Sequence, residues 1–142
     1  MTPQEKTELY EMLLQRANRP GTFTAVNGLR VTSVGDGCAQ GEADLTDAHL
    51  NPLGIVHGGV YSTMMDQVAG AAACSRGSMC RTVDCEVRFF APAAGTKIYS
   101  HAQAIRMGCS ITVMRAWVTD EAGTTCAEGT YTFRMKEGFP QD

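Results

Sequence analysis

The stretch Asn51–Ser75, NPLGIVHGGVYSTMMDQVAGAAACS, decides how this chain is read. It opens as a turn-forming loop, passes through His57-Gly58-Gly59, and continues as an apolar run with one acid, Asp66. Val60, Met64, Val68 and Ala72 recur every four residues, which places them on one stripe of a helix from about Gly58 to Ser75. Gly59, Ser62, Ala69, Gly70 and Ala73 are small and let other backbones come close. The reading is a helix that is apolar all round and enclosed by sheet, with chemistry at its N-terminus.

The flanking sequence supplies the enclosure. Upstream, Thr2-Pro3-Gln4-Glu5 reads as a capped helix start, and Arg19-Pro20-Gly21 as its stop. Two short strands are expected between Leu29 and Leu45, turned at Gly35-Asp36-Gly37. Downstream, Val83, Cys85, Val87 and Phe89 alternate with Thr82, Asp84, Glu86 and Arg88, so the two sets are expected on opposite faces. Pro92–Gly95, Met107–Ser110 and Asp120–Gly123 read as turns between four strands of an antiparallel meander. The fold class is therefore α+β, with an antiparallel sheet curled round one long helix and an additional N-terminal helix. One domain is expected over 1–142, with the N-terminal helix in 1–21 and the core in 22–136.

Composition narrows the functional classes. A net charge of −3 implies no basic surface, so nucleic acid is not an expected partner. No run approaches the roughly 18 apolar residues that a membrane span needs, and the acidic N-terminal residues do not form a signal peptide. Six cysteines without a C-x-x-C pair read as reduced thiols, and the expected location is cytoplasmic. His49, His57 and His101 lack zinc-ligand spacing, so no metal site is expected.

Two features carry chemistry. The first helical N–H groups, at Gly58 and Gly59, meet the positive end of the helix dipole and suit a developing oxyanion. A carboxylate on an apolar helix requires partners, which makes Asp66 a candidate base or nucleophile. Asp66 follows Gly58 by eight residues, about 12 Å along a helix. Both cannot reach one carbonyl unless two chains pair with antiparallel helices, which predicts a homodimer with two interfacial sites.

Asn51, Gly54, His57-Gly58-Gly59 and Asp66, followed by Thr82-Val83-Asp84, resemble the hot-dog-fold acyl-CoA thioesterases, in particular the phenylacetyl-CoA thioesterase-like branch. The similarity runs from about Leu29 to Met135 and takes in Phe89-Phe90-Ala91-Pro92 and Arg106-Met107-Gly108. The resemblance implies hydrolysis of an acyl-CoA, or a related acyl thioester, to a free acid and a thiol. It implies that Gly58 donates to the thioester carbonyl, that His57 and Asn51 position substrate or water, and that Thr82 holds the water. Asp66 from the opposite chain would be base or nucleophile. Gly59, Arg88, Arg106 and Gly108 would contact substrate. Relatives often have a basic residue after the glycine of the R-x-G turn; here it is Cys109, so Arg88 and Arg106 are expected to meet the CoA phosphates. No cofactor is implied beyond the CoA of the substrate, and the assembly would be a homodimer or a homotetramer built from dimers. Met64, Met65, Tyr61 and the N-terminal helix are expected to shape the acyl pocket. Alternatives on the same fold are an enoyl-thioester hydratase and a non-catalytic acyl-CoA-binding module.

Overall fold

The computed structural model describes residues 1–139. Helix α1 spans Pro3–Ala17 and begins with the expected capping box: Thr2 Oγ1 accepts from the Glu5 N–H at 3.2 Å, and the Glu5 carboxylate accepts from the Thr2 N–H at 2.6 Å. Asn18, at its end, grips the first strand with both side-chain atoms. Its Nδ2 donates to the Val31 carbonyl at 2.8 Å and its Oδ1 accepts from the Val31 N–H at 2.9 Å. A one-turn helix, α2 (Phe23–Val26), follows and has no signal in the sequence pattern.

The sheet contains β1 (Arg30–Gly35), β2 (Cys38–Asp44), β3 (Ser78–Phe89), β4 (Lys97–Met107), β5 (Ile111–Asp120) and β6 (Thr125–Glu137), with helix α3 (Gly58–Ala73) between β2 and β3. These strands pair antiparallel throughout, in the order β1-β2-β4-β5-β6-β3. The sheet wraps α3 in the hot-dog arrangement. The expected four-strand meander is corrected: only β4-β5-β6 follow one another, while β3 lies outside β6 and β2 takes the place beside β4. Residues 90–96 form a crossing segment rather than a hairpin turn. The Phe90 N–H bonds the Cys126 carbonyl at 2.8 Å, and the Ala93 N–H bonds the Tyr61 hydroxyl oxygen at 2.9 Å.

Asp120 holds that crossing in place. Its carboxylate accepts from the N–H groups of Ala94, Ala122 and Thr124, each at 3.0 Å, so one side chain ties the crossing segment to the β5–β6 turn. These bonds, with the one from Ala94 foremost, hold its pKa below the ordinary carboxylate value. A folded pKa below the unfolded value means that the ionised form is stabilising. That stability is present above about pH 3.9 and is lost as pH falls through the folded value. Thermal melts in Asp120→Ala are expected to start from a lower Tm at neutral pH and to show a shallower acid decline than wild type. An unchanged acid decline would contradict this role.

Met64, Met65, Val68, Ala69 and Ala72 of α3 are at most 1% exposed, packed on Ile98, Met114, Val118, Tyr131 and Phe133. Burial of each larger side chain contributes about 1.5–3 kcal/mol. Gly41 permits this contact, because a Cβ there would lie 2.5 Å from both the Arg30 carbonyl oxygen and Ser100 Oγ, and 3.0 Å from Val68. Met64, Met65 and Tyr61 thus belong to the chain's own core. The reading of α3 as apolar all round is also corrected. Ser62, Thr63, Asp66, Gln67 and Gly70 form a half-buried line at helical spacing, left uncovered by the sheet. Gln67 Nε2 anchors one side of it, donating to the carbonyls of Ala17 (3.2 Å) and Leu29 (3.4 Å). No helix among the described residues is long and apolar enough to cross a membrane.

Candidate active site

At the start of α3, His57 is the N-cap in extended geometry, and its Nδ1 accepts from the Gly59 N–H at 2.8 Å. A neutral ring accepting at Nδ1 carries its hydrogen on Nε2. Neither glycine has a positive φ, so a tight turn is not why they are glycine. Close approach is the reason. A Cβ on Gly59 would meet His57 Nδ1 at 2.9 Å, and one on Gly58 would meet the Phe89 ring at 3.2 Å. The Gly59 N–H is committed to the cap, whereas the Gly58 N–H makes no hydrogen bond among the described residues. Of the two donors expected from the sequence, Gly58 is the available one.

Asn51 shapes the loop before the helix. Its Oδ1 accepts from the N–H groups of Leu53 (2.9 Å) and Ile55 (3.3 Å), which leaves only the side-chain NH2 for other contacts. His49 is buried and structural, bonded through Nδ1 to the Thr46 N–H at 3.0 Å and through Nε2 to the Asn27 carbonyl at 2.6 Å.

The second cluster is halfway along α3. Thr82 Oγ1 donates to Asp66 Oδ1 at 2.6 Å. The simple alternation expected for β3 had put Thr82 on the opposite face from Cys85, Val87 and Phe89. A β-bulge corrects it: Thr82 pairs with Phe133 and Asp84 with Thr132, so Val83 has no partner and the facing pattern slips by one residue. Thr82 and Cys85 therefore look into the same cleft. That cleft, about 460 Å³, is bounded by Asp66, Thr82, Cys85, Tyr131 and, from α2, Phe23 and Thr24. Asp66 is half-buried at its wall, not enclosed in the core.

Tyr131 is a cleft residue that sequence reasoning missed. Its hydroxyl donates to the Ser62 carbonyl at 2.8 Å, and burial, then the nearby Cys85 and Asp66, push its pKa upward. It stays protonated and fixes the first turns of α3. Phe89, against Gly58, was missed as well; it keeps the Cys85–Val87 face that alternation gives it, but its approach to Gly58 joins residues far apart in sequence.

The remaining candidates lie elsewhere within one chain. Arg88 is exposed and paired with Glu86 at 3.2 Å. Arg106 and Gly108 sit at the β4–β5 turn, where the Gly108 N–H bonds the Ile111 carbonyl at 3.1 Å. Met135, the register partner of Cys80, donates to Ser110 at 2.8 Å, which places this turn at the end of the sheet where β3 begins. One chain thus brings Asp66 to Thr82, and His57 to Gly58 and Gly59, but keeps these groups and the Arg106 turn apart.

The profile of the thioesterase superfamily matches residues 53–127, more than half of the chain and the part that contains His57, Gly58, Asp66 and Thr82. The chain belongs to the thioesterase superfamily. Its general activity is accordingly the hydrolysis of thioesters. A Mycobacterium tuberculosis protein named "Putative esterase Rv1847" is 25% identical over 124 residues, covering 83% of this chain and 89% of that protein. Among solved structures, conserved protein PA5202 of Pseudomonas aeruginosa superposes with a TM-score of 0.79 at 25% identity, covering 85% of this chain and 98% of that one. A Streptococcus mutans protein solved bound to acetyl CoA shares the fold with a TM-score of 0.74 at 20% identity, covering 79% of this thioesterase-superfamily chain and 91% of its own.

Proposed function

We propose that this protein hydrolyses acyl-CoA thioesters to a free carboxylic acid and CoA, at sites each completed by two copies of the chain. The observation that carries this reading is the Asp66–Thr82 pair at 2.6 Å in an open cleft, with Asp66 on the same helix whose start presents the free Gly58 N–H. Their separation of about 12 Å along α3 exceeds what one thioester carbonyl spans. A two-fold pairing with antiparallel helices would set Gly58 of each copy against Asp66 of the other. The surface favours such pairing. β3 is an edge strand of twelve residues, and Val83, Phe89 and Phe90 on or beside it are each 56% exposed. A long apolar sheet edge is normally covered.

At such a site the Gly58 N–H would polarise the thioester carbonyl, with the helix dipole behind it. Thr82 occupies Asp66 Oδ1 and leaves Oδ2 to act. As a base, Oδ2 takes a proton from water while the water oxygen bonds the carbonyl carbon; as a nucleophile, it attacks that carbon itself. In either route the C–S bond breaks, CoA leaves as thiolate and takes up a proton, and water supplies the acid oxygen. The thiolate is a good leaving group, so one oriented carboxylate and one oxyanion donor suffice. The His57 Nε2–H and the Asn51 NH2 are the further donors at the helix start. Arg106 and Arg88 would serve the phosphates of CoA from the edges of the site. The acetyl CoA held by the Streptococcus mutans protein on this fold is consistent with that ligand class.

The test is release of free thiol from short, medium, long and aromatic acyl-CoAs, read with a chromogenic disulfide. Stoichiometric, enzyme-dependent thiol release from at least one class is expected. Loss of enoyl absorbance without thiol would indicate a hydratase, and tight binding without turnover a binding module; either result contradicts the proposal.

A further inference from the structure

Cys74 and Cys80 lie outside the proposed chemistry, yet their sulfurs are 3.4 Å apart. Cys74 ends α3 and Cys80 lies near the start of β3, so the two thiols bridge the helix to the edge strand. Both face a second cleft of about 450 Å³, which Asp66 and Thr82 also border. A small oxidant entering this second cleft would therefore meet the dithiol directly. All six cysteines are free thiols, and Cys38, Cys85, Cys109 and Cys126 make no comparable pair among the described residues.

We propose that Cys74 and Cys80 are a peroxide-oxidisable dithiol whose disulfide disables the adjacent Asp66–Thr82 pair. The Cys74 thiolate attacks one peroxide oxygen, the O–O bond breaks, and hydroxide leaves to be protonated to water, with sulfenic acid formed on Cys74. The Cys80 sulfur then attacks that sulfur, the S–O bond breaks, the thiol proton goes to the departing hydroxide, and a second water leaves. Two thiols are oxidised and one hydrogen peroxide is reduced to two waters. Cys74 is the suited attacker, because its contact with the Cys80 sulfur holds its pKa below the ordinary thiol value, whereas the same contact and burial raise Cys80, whose S–H is directed at the Gly70 carbonyl at 3.6 Å.

Closure would shorten the sulfur separation from 3.4 Å to about 2.05 Å. Cys80 and Thr82 share a face of β3, two residues apart, so the pull on Cys80 is transmitted to the hydroxyl that orients Asp66. The effect on turnover rests on the proposed thioesterase reading; formation of the disulfide does not.

The test treats intact protein with hydrogen peroxide in a Cys85→Ser/Cys109→Ser background, which removes the exposed thiols. Peptide mass spectrometry should find Cys74 and Cys80 joined with loss of two hydrogens. Thiol release from acyl-CoA should fall in step with the cross-link and return on reduction with dithiothreitol. In Cys80→Ser, and independently in Cys74→Ser should that variant fold poorly, the rate relative to its own untreated sample should no longer fall reversibly. Absence of the cross-linked peptide, with both thiols still open to alkylation or singly over-oxidised, would overturn the site. A complete cross-link with undiminished turnover would overturn its effect on Asp66. If the protein has no thioesterase activity at all, the mass measurement still decides the site.

Discussion

Asp66→Asn is expected to lower kcat/KM for acyl-CoA hydrolysis by about a thousandfold, within the range for loss of a general base or carboxylate nucleophile. Asparagine keeps an Oδ1 that can accept the Thr82 hydroxyl now held at 2.6 Å, so the cleft should retain its shape while the reactive Oδ2 is lost. The side chain is half-buried on the open face of α3 and supports none of the core. Thermal stability should therefore change by less than about 1 kcal/mol. Steady-state thiol release and a thermal melt of the same preparation check both halves. Wild-type turnover in a folded Asp66→Asn protein would remove Asp66 from the chemistry.

Gly58→Val is expected to cost about a hundredfold in turnover, the usual effect of spoiling one oxyanion donor. The first added carbon would lie 3.2 Å from the Phe89 ring, and the branched methyls would crowd the space beside the uncommitted Gly58 N–H. Phe89 is 56% exposed within the single chain and outside its core, so the fold of each chain should survive. The loss should appear in kcat more than in KM, since the carbonyl oxygen gains charge in the transition state and draws most on the donor there.

What could be read from the sequence depended on whether its cause was local. The Thr2–Glu5 capping box, the hairpin at Asp36-Gly37 and the glycine-started α3 are set by residues within a few positions of one another, and all three formed. Gly37 takes the positive φ of 68° that its turn requires, although Asp36 does not. Asp66, Thr82 and the His57-Gly58-Gly59 start were visible as residues, and the structure joins Asp66 to Thr82. The remaining features depend on distant partners. The bulge at Val83 arises from pairing with β6, so alternation along β3 alone assigned Thr82 to the wrong face. The crossing of residues 90–96 depends on Tyr61 and Asp120, far away in sequence, and a Pro-Ala-Ala-Gly segment reads the same as turn or crossover. The open face of α3 was missed because Ser62, Thr63 and Gln67 are individually tolerable on a buried helix. Their common spacing with Asp66 was the available sign.

The most direct measurement of the shared site mixes two strongly impaired proteins, Asp66→Asn and Gly58→Val, dissociates them and allows them to reassociate. In a mixed pair, one site combines the intact Gly58 of one chain with the intact Asp66 of the other, while its twin carries both defects. Random reassociation of equal amounts should restore about a quarter of wild-type thiol release per total protein, since half of the pairs are mixed and each has one working site. If Gly58 and Asp66 of the same chain served one site, every pair would remain strongly impaired, and no recovery on mixing would contradict the shared-site mechanism.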